Sequence, residues 1–412
     1  MVDYLSLKLE AVAMSSNFEK LVGNHDILSL KELNVLPIFS ESVIKFFSDL
    51  SGIILKDKNS QNFPDLMTFG FHIRKSNINI IRKNYSDIEK IAYGRGLAYH
   101  IGPSNVPMNF AFSLFYSLLA GNPTIVRLPS SNFPQIIHLI NLINLTLDST
   151  EHLSLRPYLS LVKFDKGTDL SAEISKLSEV RAVWGSDATV HEILSHSKRL
   201  KCKDLVFPAR LSWSVISCKR ILDHAEHLCD LANDFFNDTF SMDQNACSSP
   251  TQVFFLRDTH NVEKAKSLFW RAIKEKIISR KYEISSSVVM EREIASVRAV
   301  MTSGNTLIRR DYLPHFHVVV KDITASEAMK HSVGGGLFFE NEIDTFKCLK
   351  GYLSDQVQTV TTHKQDVLSL RIQINEACPG QVDRVVQFGR ALDFGPIWDG
   401  YDLVREMSHL KI

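Results

Sequence analysis

Residues 97–132 read LAYHIGPSNVPMNFAFSLFYSLLAGNPTIVRLPSSN and combine three different patterns. The short apolar run LAYHIGP predicts a strand, and the longer run NFAFSLFYSLLAG predicts a helix that Gly121 closes. The run PTIVRLP that follows predicts a second strand. A strand, a helix and a strand at this spacing are typical of a βαβ unit with parallel strands.

The same alternation continues to about residue 216. Further strands are predicted at YLSLVKF, VRAVWGS and KDLVFPA, and further helices at FPQIIHLINLINLTL, TDLSAEISKLS and ATVHEILSHSKRL. We therefore expect an α/β fold whose first part is a doubly wound parallel sheet with helices on both faces. Ligands of such sheets bind beyond the carboxyl ends of the strands.

Residues 1–90, which precede this pattern, are predicted to be mostly helical. A second α/β part follows, with helices predicted at ILDHAEHLCDLANDFFND and NVEKAKSLFWRAIKEKII and strands at FHVVVKD, VQTVTT and VDRVVQFG. The expected domains are 1–208, 209–385 and a C-terminal segment, 386–412, that returns to the first domain. Since no linker composition marks the boundary, we expect a broad interface with the active site in the cleft between the domains.

The chain has 412 residues, of which 44% are apolar, and this length suffices for two or three domains. Its 47 basic and 46 acidic residues leave a net charge of +1, so no nucleic-acid partner is expected. The first residues lack the pattern of a secretory signal, and the longest apolar run is far shorter than the roughly 20 residues that span a bilayer. We expect a cytoplasmic protein without a membrane span.

The six cysteines show no CxxC pair and no metal-ligand spacing, so no metal site is expected. Five of them lie in or beside apolar regular segments, where cysteine is commonly buried and unreactive: Cys202, Cys218, Cys229, Cys348 and Cys378. Cys247 differs, because its neighbours in SMDQNACSSPTQVFF (241–255) are mostly small or polar. It lies between a predicted helix and a predicted strand, as a displayed nucleophile would.

Three other segments carry candidate binding residues, each with a simpler alternative. Asn105 is either a turn or cap residue before a helix, or an amide donor to an oxyanion at that helix start. The strand in GNPTIVRLPSSN ends in small polar residues, which suit either the adenosine half of a dinucleotide or an ordinary turn. In VWGSDATVHEI, Gly185 permits a phosphate to approach a helix start, although the dinucleotide fingerprint GxGxxG is absent.

The order of these four segments resembles the aldehyde dehydrogenase superfamily, in which PWNFP, KPSE, GST and GQxC segments carry the oxyanion amide, the ribose, the pyrophosphate and the nucleophile. A more specific resemblance is to LuxC, the acyl-CoA reductases of bacterial bioluminescence fatty-acid reductase systems. The segments that carry it are FGFHIRKS, GNPTIVRLPSS, VWGSD, QNACSSP and VDRVVQFGRALDFGPIWDGYDL, and it runs from about residue 65 to the end.

The resemblance implies a role for each candidate residue. Cys247 would be the nucleophile that takes an acyl group, and Asn105 with the Cys247 backbone N–H would hold the oxyanion. Gly185 and Ser186 would lie at the pyrophosphate, with Ser130 and Arg127 at the adenosine ribose. Leu128 stands where dehydrogenases carry a ribose-binding lysine, and Arg127, one residue earlier on a strand, is expected to face the other side. Ser131 replaces the glutamate of many NAD-preferring relatives, which favours NADPH as the cofactor.

The implied function is NADPH-dependent reduction of a long-chain fatty acyl thioester to an aldehyde through acyl-Cys247. The segment LVFPARLSW (205–213) stands where aldehyde-oxidising relatives carry a glutamate base, and it has no carboxylate. This indicates that hydride, and not water, discharges the acyl-enzyme. The expected donor is a fatty acyl-CoA or an acylated partner protein that resembles an acyl-protein synthetase.

Two alternatives stay open. One is a CoA-acylating aldehyde dehydrogenase for a short or specialised acyl group, and the other is a non-catalytic scaffold subunit for acyl transfer. The family's assembly hairpin, which precedes PWNFP, has little room here, because NINIIRKNYSDIEK runs almost directly into IAYGRGLAYHIGP. We expect a small oligomer or a multienzyme complex.

Overall fold

The computed structural model describes residues 18–23, 27–166, 168–301, 308–312, 315–320, 323–377 and 379–411. They form two compact units. Unit 1 takes its residues from Met1–Pro208 and Phe394–Ile412, and unit 2 from Ala209–Asp393. None of the helices in the described ranges is both long enough and apolar enough to cross a membrane.

The helices before Ala209 are α1 (Ile27–Glu32), α2 (Glu41–Lys56), α3 (Pro64–His72), α4 (Lys75–Lys83), α5 (Asn109–Leu119), α6 (Pro134–Leu147), α7 (Asp169–Leu177) and α8 (Asp187–Ser195). The strands of this stretch are β1 (Glu19–Gly23), β2 (Ala92–Gly94), β3 (Ala98–Ile101), β4 (Thr124–Arg127), β5 (Leu159–Lys163), β6 (Val180–Trp184) and β7 (Lys203–Phe207).

Unit 2 contains the helices α9 (Cys218–Asp223), α10 (Leu228–Thr239), α11 (Val262–Ser279), α12 (Ser286–Met301), α13 (Ala325–His331) and α14 (Val367–Ala377). Its strands are β8 (Leu211–Ser217), β9 (Pro250–Leu256), β10 (Ile308–Tyr312), β11 (Phe316–Val320), β12 (Leu337–Ile343), β13 (Val357–Thr362) and β14 (Arg384–Gln387). After Asp393 come β15 (Ile397–Trp398), β16 (Tyr401–Asp402), α15 (Leu403–Glu406) and β17 (Ser408–Leu410).

The central sheet of unit 1 has the strand order β1-β5-β4-β3-β6-β7. Strands β3 to β7 are parallel, and β1 pairs with β5 in the antiparallel direction. In chain order, β4 and β5 are added on one side of β3, and β6 and β7 are added on its other side. The direction in which strands are added therefore reverses between β3 and β6. Every residue of β3, β4 and β6 is buried, as expected for strands covered on both faces. The predicted doubly wound sheet is confirmed.

Helix α5 and the turn after it show how the sequence produces this βαβ unit. Residues 110–119 are all buried, so the helix lies within the core and has no polar face. Gly121 ends the helix with a φ of +88°, and a Cβ atom at this position would lie 2.1 Å from the backbone oxygen of Leu36. Only glycine fits this turn, which leads the chain directly into β4.

The segment after Asp393 completes unit 1. Strand β17 pairs with β2 in the antiparallel direction, and Trp398, Leu403 and Met407 are buried in the same core as Phe112. The ring of Phe394 lies 4.8 Å from that of Phe112 and 4.3 Å from that of Trp398. Unit 1 is therefore built from two stretches of chain that are far apart in sequence.

The sheet of unit 2 has the order β10-β11-β12-β9-β8-β13-β14. Strands β11, β12, β9, β8, β13 and β14 are parallel, and β10 pairs with β11 in the antiparallel direction. Trp213, Val215 and Phe254 belong to one buried cluster, whereas Ile216 and Phe255 belong to another. Because adjacent residues of a strand face opposite sides, the sheet has a core on each face.

The single helix predicted at residues 221–238 is wrong. Helix α9 ends at Asp223, a 3₁₀ turn spans Ala225–His227, and α10 starts at Leu228. Residues 223–227 are all exposed, so no burial favours a continuous helix there. Ile221 of α9 and Phe235 of α10 pack in the same core cluster.

Strand β12 was not predicted from the sequence, because it contains Glu340 and Glu342. The ammonium group of Lys266 lies 2.7 Å from Glu340 and 2.6 Å from Glu342, and the indole N–H of Trp270 donates to Glu340 at 2.7 Å. These partners on α11 stabilise charges that would otherwise be costly to bury.

The buried carboxyl group of Asp238 holds the turn that precedes the return to unit 1. It accepts hydrogen bonds from the backbone N–H groups of Gly389 and Ala391, each at 2.8 Å. Burial nonetheless raises the pKa of Asp238 to about 7. Below about pH 7, the folded protein therefore holds Asp238 mainly as the neutral acid. The contribution of this group to the free energy of unfolding decreases as the pH rises from about 4 to about 7.

Asp238→Asn removes this titration. Compared with the variant, the wild-type protein should lose about 3 kcal/mol of unfolding free energy between pH 5 and pH 8. Urea denaturation of both proteins at the two pH values measures the difference. An equal change of stability with pH in the two proteins would contradict the prediction.

Candidate active site

A cavity of about 100 Å³ lies in unit 1 where the strand order reverses. It is lined mainly by residues 102–104 after β3, 128–130 after β4 and 184–186 at the end of β6. We call it the switch-point cavity. In doubly wound sheets, this is the position at which ligands bind, because the two diverging crossover connections leave a crevice there.

Four of the predicted cofactor residues line the switch-point cavity: Arg127, Ser130, Gly185 and Ser186. Ser131 is exposed and is not among the described residues that line it. Asn105 is also exposed, one residue beyond the cavity-lining Ser104 and four residues before the first residue of α5.

Arg127 is the last residue of β4 and is only 6% exposed. Its Nη2 donates to the backbone oxygen of Phe164 at 3.2 Å, and its guanidinium group lies 4.7 Å from the centre of the Phe164 ring. The expectation from strand alternation was that Arg127 and Leu128 point to opposite sides, but both line the cavity. The strand ends at Arg127, so alternation no longer applies to the residue that follows.

The first turn of α8 lies at the switch-point cavity, so the positive end of the helix dipole faces it. Ser186 is the N-cap, and its Oγ accepts from the backbone N–H of Thr189 at 3.4 Å. A Cβ atom on Gly185 would lie 3.3 Å from the Cβ of Thr189, so a side chain there would crowd the first turn. Helix starts of this kind attract phosphate groups.

Lys166 also lines the switch-point cavity, and it was not identified from the sequence. It is exposed and follows β5, the third parallel strand in chain order. The position of Lys166 just after a strand could have indicated that it lines the cavity, because the carboxyl ends of neighbouring parallel strands meet at one edge of the sheet. Lys166 adds a second cationic side chain to that of Arg127.

Cys247 lies in the turn formed by residues 243–249, which we call the Cys247 turn. Its thiol accepts a hydrogen bond from Gln358 Nε2 at 3.2 Å, and its backbone oxygen accepts from Ser212 Oγ at 2.8 Å. Ser212 Oγ in turn accepts from the backbone N–H of Thr359 at 3.1 Å. Cys247 is half-buried, whereas Gln358 is 2% exposed, so the contact to sulfur comes from the interior. The sequence did not indicate Gln358.

The side chain of Gln244 fixes the Cys247 turn to the sheet. Its Nε2 donates to the backbone oxygens of Pro250 at 2.8 Å and Leu337 at 3.1 Å, and its Oε1 accepts from the N–H groups of Gly336 at 3.0 Å and Leu337 at 3.1 Å. Gln244 itself has a φ of +58°, in the left-handed region.

A glycine turn packs against this part of the chain. Gly334, Gly335 and Gly336 all have positive φ, between +63° and +85°. A Cβ atom on Gly334 would lie 2.9 Å from Asn245 Oδ1, and the N–H of Gly335 donates to the backbone oxygen of Asp243 at 2.8 Å. A side chain on Gly334 would therefore displace the Cys247 turn.

The other cysteines fall into two groups. Cys202 and Cys218 are buried as expected, and burial raises their pKa values to about 11 and about 12, so both remain thiols. Cys229 and Cys348 are exposed, which contradicts the expectation that they are buried. A hydrogen bond with a neighbouring threonine hydroxyl lowers the pKa of Cys348. Cys378 lies outside the described residues.

Asp204, which directly precedes residues 205–213, and Asp383, which contacts Arg210, both have cationic partners. Arg210 Nη1 lies 2.5 Å from Asp383, and Arg181 donates to both oxygens of Asp204 at 2.7 and 2.9 Å. Burial opposes ionisation of Asp204, but the hydrogen bonds from its basic partners lower its pKa overall. Asp243 accepts from a tyrosine hydroxyl at 2.5 Å.

Solved aldehyde dehydrogenases share this fold. An NAD-dependent aldehyde dehydrogenase from Sinorhizobium meliloti matches with a TM-score of 0.65 and 12% identity, over 93% of this chain and 85% of that chain. An aldehyde dehydrogenase from Bartonella henselae matches with a TM-score of 0.63 and 16% identity, over 96% and 95% of the two chains. The chain thus has the aldehyde dehydrogenase fold, as expected.

The family model for acyl-CoA reductase (LuxC) matches residues 78–332, which is more than half of the chain, and the protein belongs to this family. The long-chain acyl-protein thioester reductase of Vibrio harveyi is 27% identical over 177 residues, 42% of this chain. The matched region spans 35% of that relative, about a third of its length. The resemblance to LuxC inferred from the sequence is confirmed.

Gln244→Ala should destabilise unit 2, because it removes partners from buried backbone groups at Pro250, Gly336 and Leu337. At about 1–3 kcal/mol for each unsatisfied group, we expect a loss of about 3 kcal/mol or more of unfolding free energy, measured by chemical denaturation. The exposed Gln365 provides a matched control, and Gln365→Ala should change stability by less than about 0.5 kcal/mol. Similar effects of the two substitutions would refute the role given to Gln244.

Proposed function

We propose that this protein reduces an acyl thioester to an aldehyde through a covalent acyl-Cys247 intermediate. The observation that carries the proposal is the half-buried Cys247 thiol with an amide donor from the buried Gln358 at 3.2 Å. Cys202 and Cys218 differ from Cys247 because they are buried, and burial raises their pKa values so that both remain thiols. Membership of a family described as acyl-CoA reductases supports the same chemistry.

Acyl transfer to Cys247 follows from these contacts. The sulfur attacks the thioester carbonyl, the new C–S bond forms, and the bond to the departing thiol breaks. The Gln358 amide donates toward the negative charge on sulfur before the attack. We assign the developing oxyanion to the Asn105 amide and the Cys247 backbone N–H, the two donors that the family's motif implies.

We assign the switch-point cavity to the adenosine and phosphate parts of a nicotinamide cofactor. The residues present fit such a group, because the start of α8, the Gly185 backbone, the Ser130 hydroxyl and the Arg127 guanidinium all border one crevice. When bound, this cofactor supplies the hydride that reduces the acyl carbonyl. The protein binds and orients it.

We further propose that NADPH is preferred to NADH. Arg127 and Lys166 bring two positive charges to the cavity, and Ser131 beside it carries no carboxylate that would repel a phosphate. A 2′-phosphate on the adenosine ribose would interact favourably with both cations.

The substrate that we propose is a long-chain fatty acyl thioester, presented by CoA or by an acylated partner protein. Support comes from the similarity to the Vibrio harveyi long-chain acyl-protein thioester reductase. The absence of a carboxylate in residues 205–213 supports discharge of the acyl-enzyme by hydride and not by water.

The first test is acylation of Cys247. Incubation with myristoyl-CoA, without cofactor, should rapidly add one hydroxylamine-sensitive acyl group, detected by intact mass, and Cys247→Ala should abolish it. Cys348→Ala is the matched control, because it removes an exposed thiol with a lowered pKa. A hydroxylamine-sensitive adduct that forms equally fast in Cys247→Ala would overturn the proposal.

The second test concerns the cofactor. Ser131→Glu adds a negative charge and should raise the KM for NADPH by about tenfold, with a much smaller effect on NADH. Lys166→Met should also raise the KM for NADPH. Lys201→Met changes another exposed lysine of unit 1 and should leave the KM values for NADPH and NADH unchanged. Equal use of the two cofactors by the wild-type enzyme would count against NADPH.

The third test measures hydrolysis of the acyl-enzyme. A positioned base is typically worth about 100- to 10,000-fold in rate, so without one the acyl-enzyme should persist for minutes in the absence of cofactor. The acyl-enzyme is isolated from excess thioester and free fatty acid is followed with time. Release within seconds that is lost in Asp204→Asn or Asp243→Asn would identify a base and refute the assignment.

A further inference from the structure

A cysteine and a lysine meet outside the candidate active site, on the packed helices α10 and α11. The ammonium group of Lys276 lies 3.3 Å from the sulfur of Cys229. Cys229 is exposed, and both residues line a cavity of about 310 Å³. The described residues give neither side chain a role in the chemistry proposed for Cys247.

The cavity around this Cys229–Lys276 pair has apolar and charged sides. Leu228, Leu268 and Ala272 contribute apolar surface. The helices that carry the pair are fixed by their buried faces, where the rings of Phe235 and Phe269 lie 5.1 Å apart. The backbone positions of Cys229 and Lys276 are therefore set by helix packing and not by a mobile loop.

We infer that the Cys229–Lys276 pair is a site of lysine acylation by acyl thioesters. The inference rests on the proposed function only for its supply of acyl thioester, and it does not require Cys247. The apolar side of the cavity would contact the first carbons of the acyl chain.

The reaction has two steps that balance without any further reagent. Cys229 attacks the thioester carbonyl, a new C–S bond forms, and the donor leaves as a free thiol. Lys276, after losing a proton to water, attacks the same carbonyl from a neighbouring position. An amide forms, the C–S bond breaks, and the Cys229 thiol is regenerated.

Lys276 should be acylated faster than the other lysines because it lies next to Cys229. A nucleophile held next to the carbonyl reacts as if its concentration were several orders of magnitude higher than in solution. Lys264 is on the same helix and is exposed, but it lies 12 residues earlier, about 18 Å along the helix axis. Lys264 is more exposed to solvent than the half-buried Lys276, so solvent access alone would favour acylation of Lys264.

The experiment uses the full-length Cys247→Ala protein and octanoyl-CoA, without cofactor. After hydroxylamine treatment, which cleaves thioesters and leaves amides, peptide mapping should find octanoyl-lysine at Lys276, at least about 10-fold above Lys264. Adding Cys229→Ser should lower Lys276 acylation by about 10-fold or more, although the serine leaves the surface nearly unchanged. Lys276→Arg should instead accumulate a hydroxylamine-sensitive octanoyl group on Cys229.

Two results would overturn the inference: acylation of Lys276 no higher than that of Lys264, or acylation of Lys276 that does not depend on Cys229. Octanoyl-CoA-dependent oxidation of NADPH by the wild-type protein is measured in parallel. That assay reports the proposed function separately, so failure of one proposal does not obscure the other.

Discussion

The amide of Gln244 is the interaction on which the geometry around Cys247 depends. It bonds to the backbone at Pro250, where β9 begins, and at Leu337, where β12 begins. Two residues of the turn, Asp243 and Gln244, are left-handed at φ values of +50° and +58°. Such conformations cost roughly 1–2 kcal/mol each for residues other than glycine, and the hydrogen bonds of the buried amide offset that cost. Without them, the left-handed turn that carries Cys247 would lose this compensation.

The two chemical tasks of the proposed reaction fall to different units of the chain. Unit 1 offers the start of α8 and two cations around a crevice between diverging strands, which suits a phosphate-bearing ligand. Unit 2 offers a sulfur with a hydrogen-bond donor from strand β13. The cavity of unit 1 lies where parallel strands end, whereas the contacts of Cys247 lie where strands begin, since Cys247 precedes β9 and Gln358 is the second residue of β13.

Much of this could be predicted from the sequence, for definite physical reasons. The inner strands β3, β4 and β6 are buried on both faces, so they appear as short continuous apolar runs between helices ended by glycine or preceded by proline. The break between α9 and α10 could not be predicted, because Ile221, Leu228 and Phe235 recur every seven residues, as in one continuous helix. Gln358 was missed because only the pairing of strands that are distant in sequence brings it to Cys247, whereas the position of Lys166 after the predicted strand YLSLVKF could have indicated its place at the cavity.

The pairing of β17 with β2 has a consequence for how the protein is made. Residues 394–411 contribute buried side chains to the core of unit 1, yet the ribosome produces them only after all of unit 2. At typical elongation rates, the first part of unit 1 waits on the order of 10 s for its missing strand and for Trp398. During that interval β2 presents an unpaired edge and part of an apolar core is uncovered, the kind of surface that chaperones bind. Unit 2, whose chain is continuous, can complete its fold first.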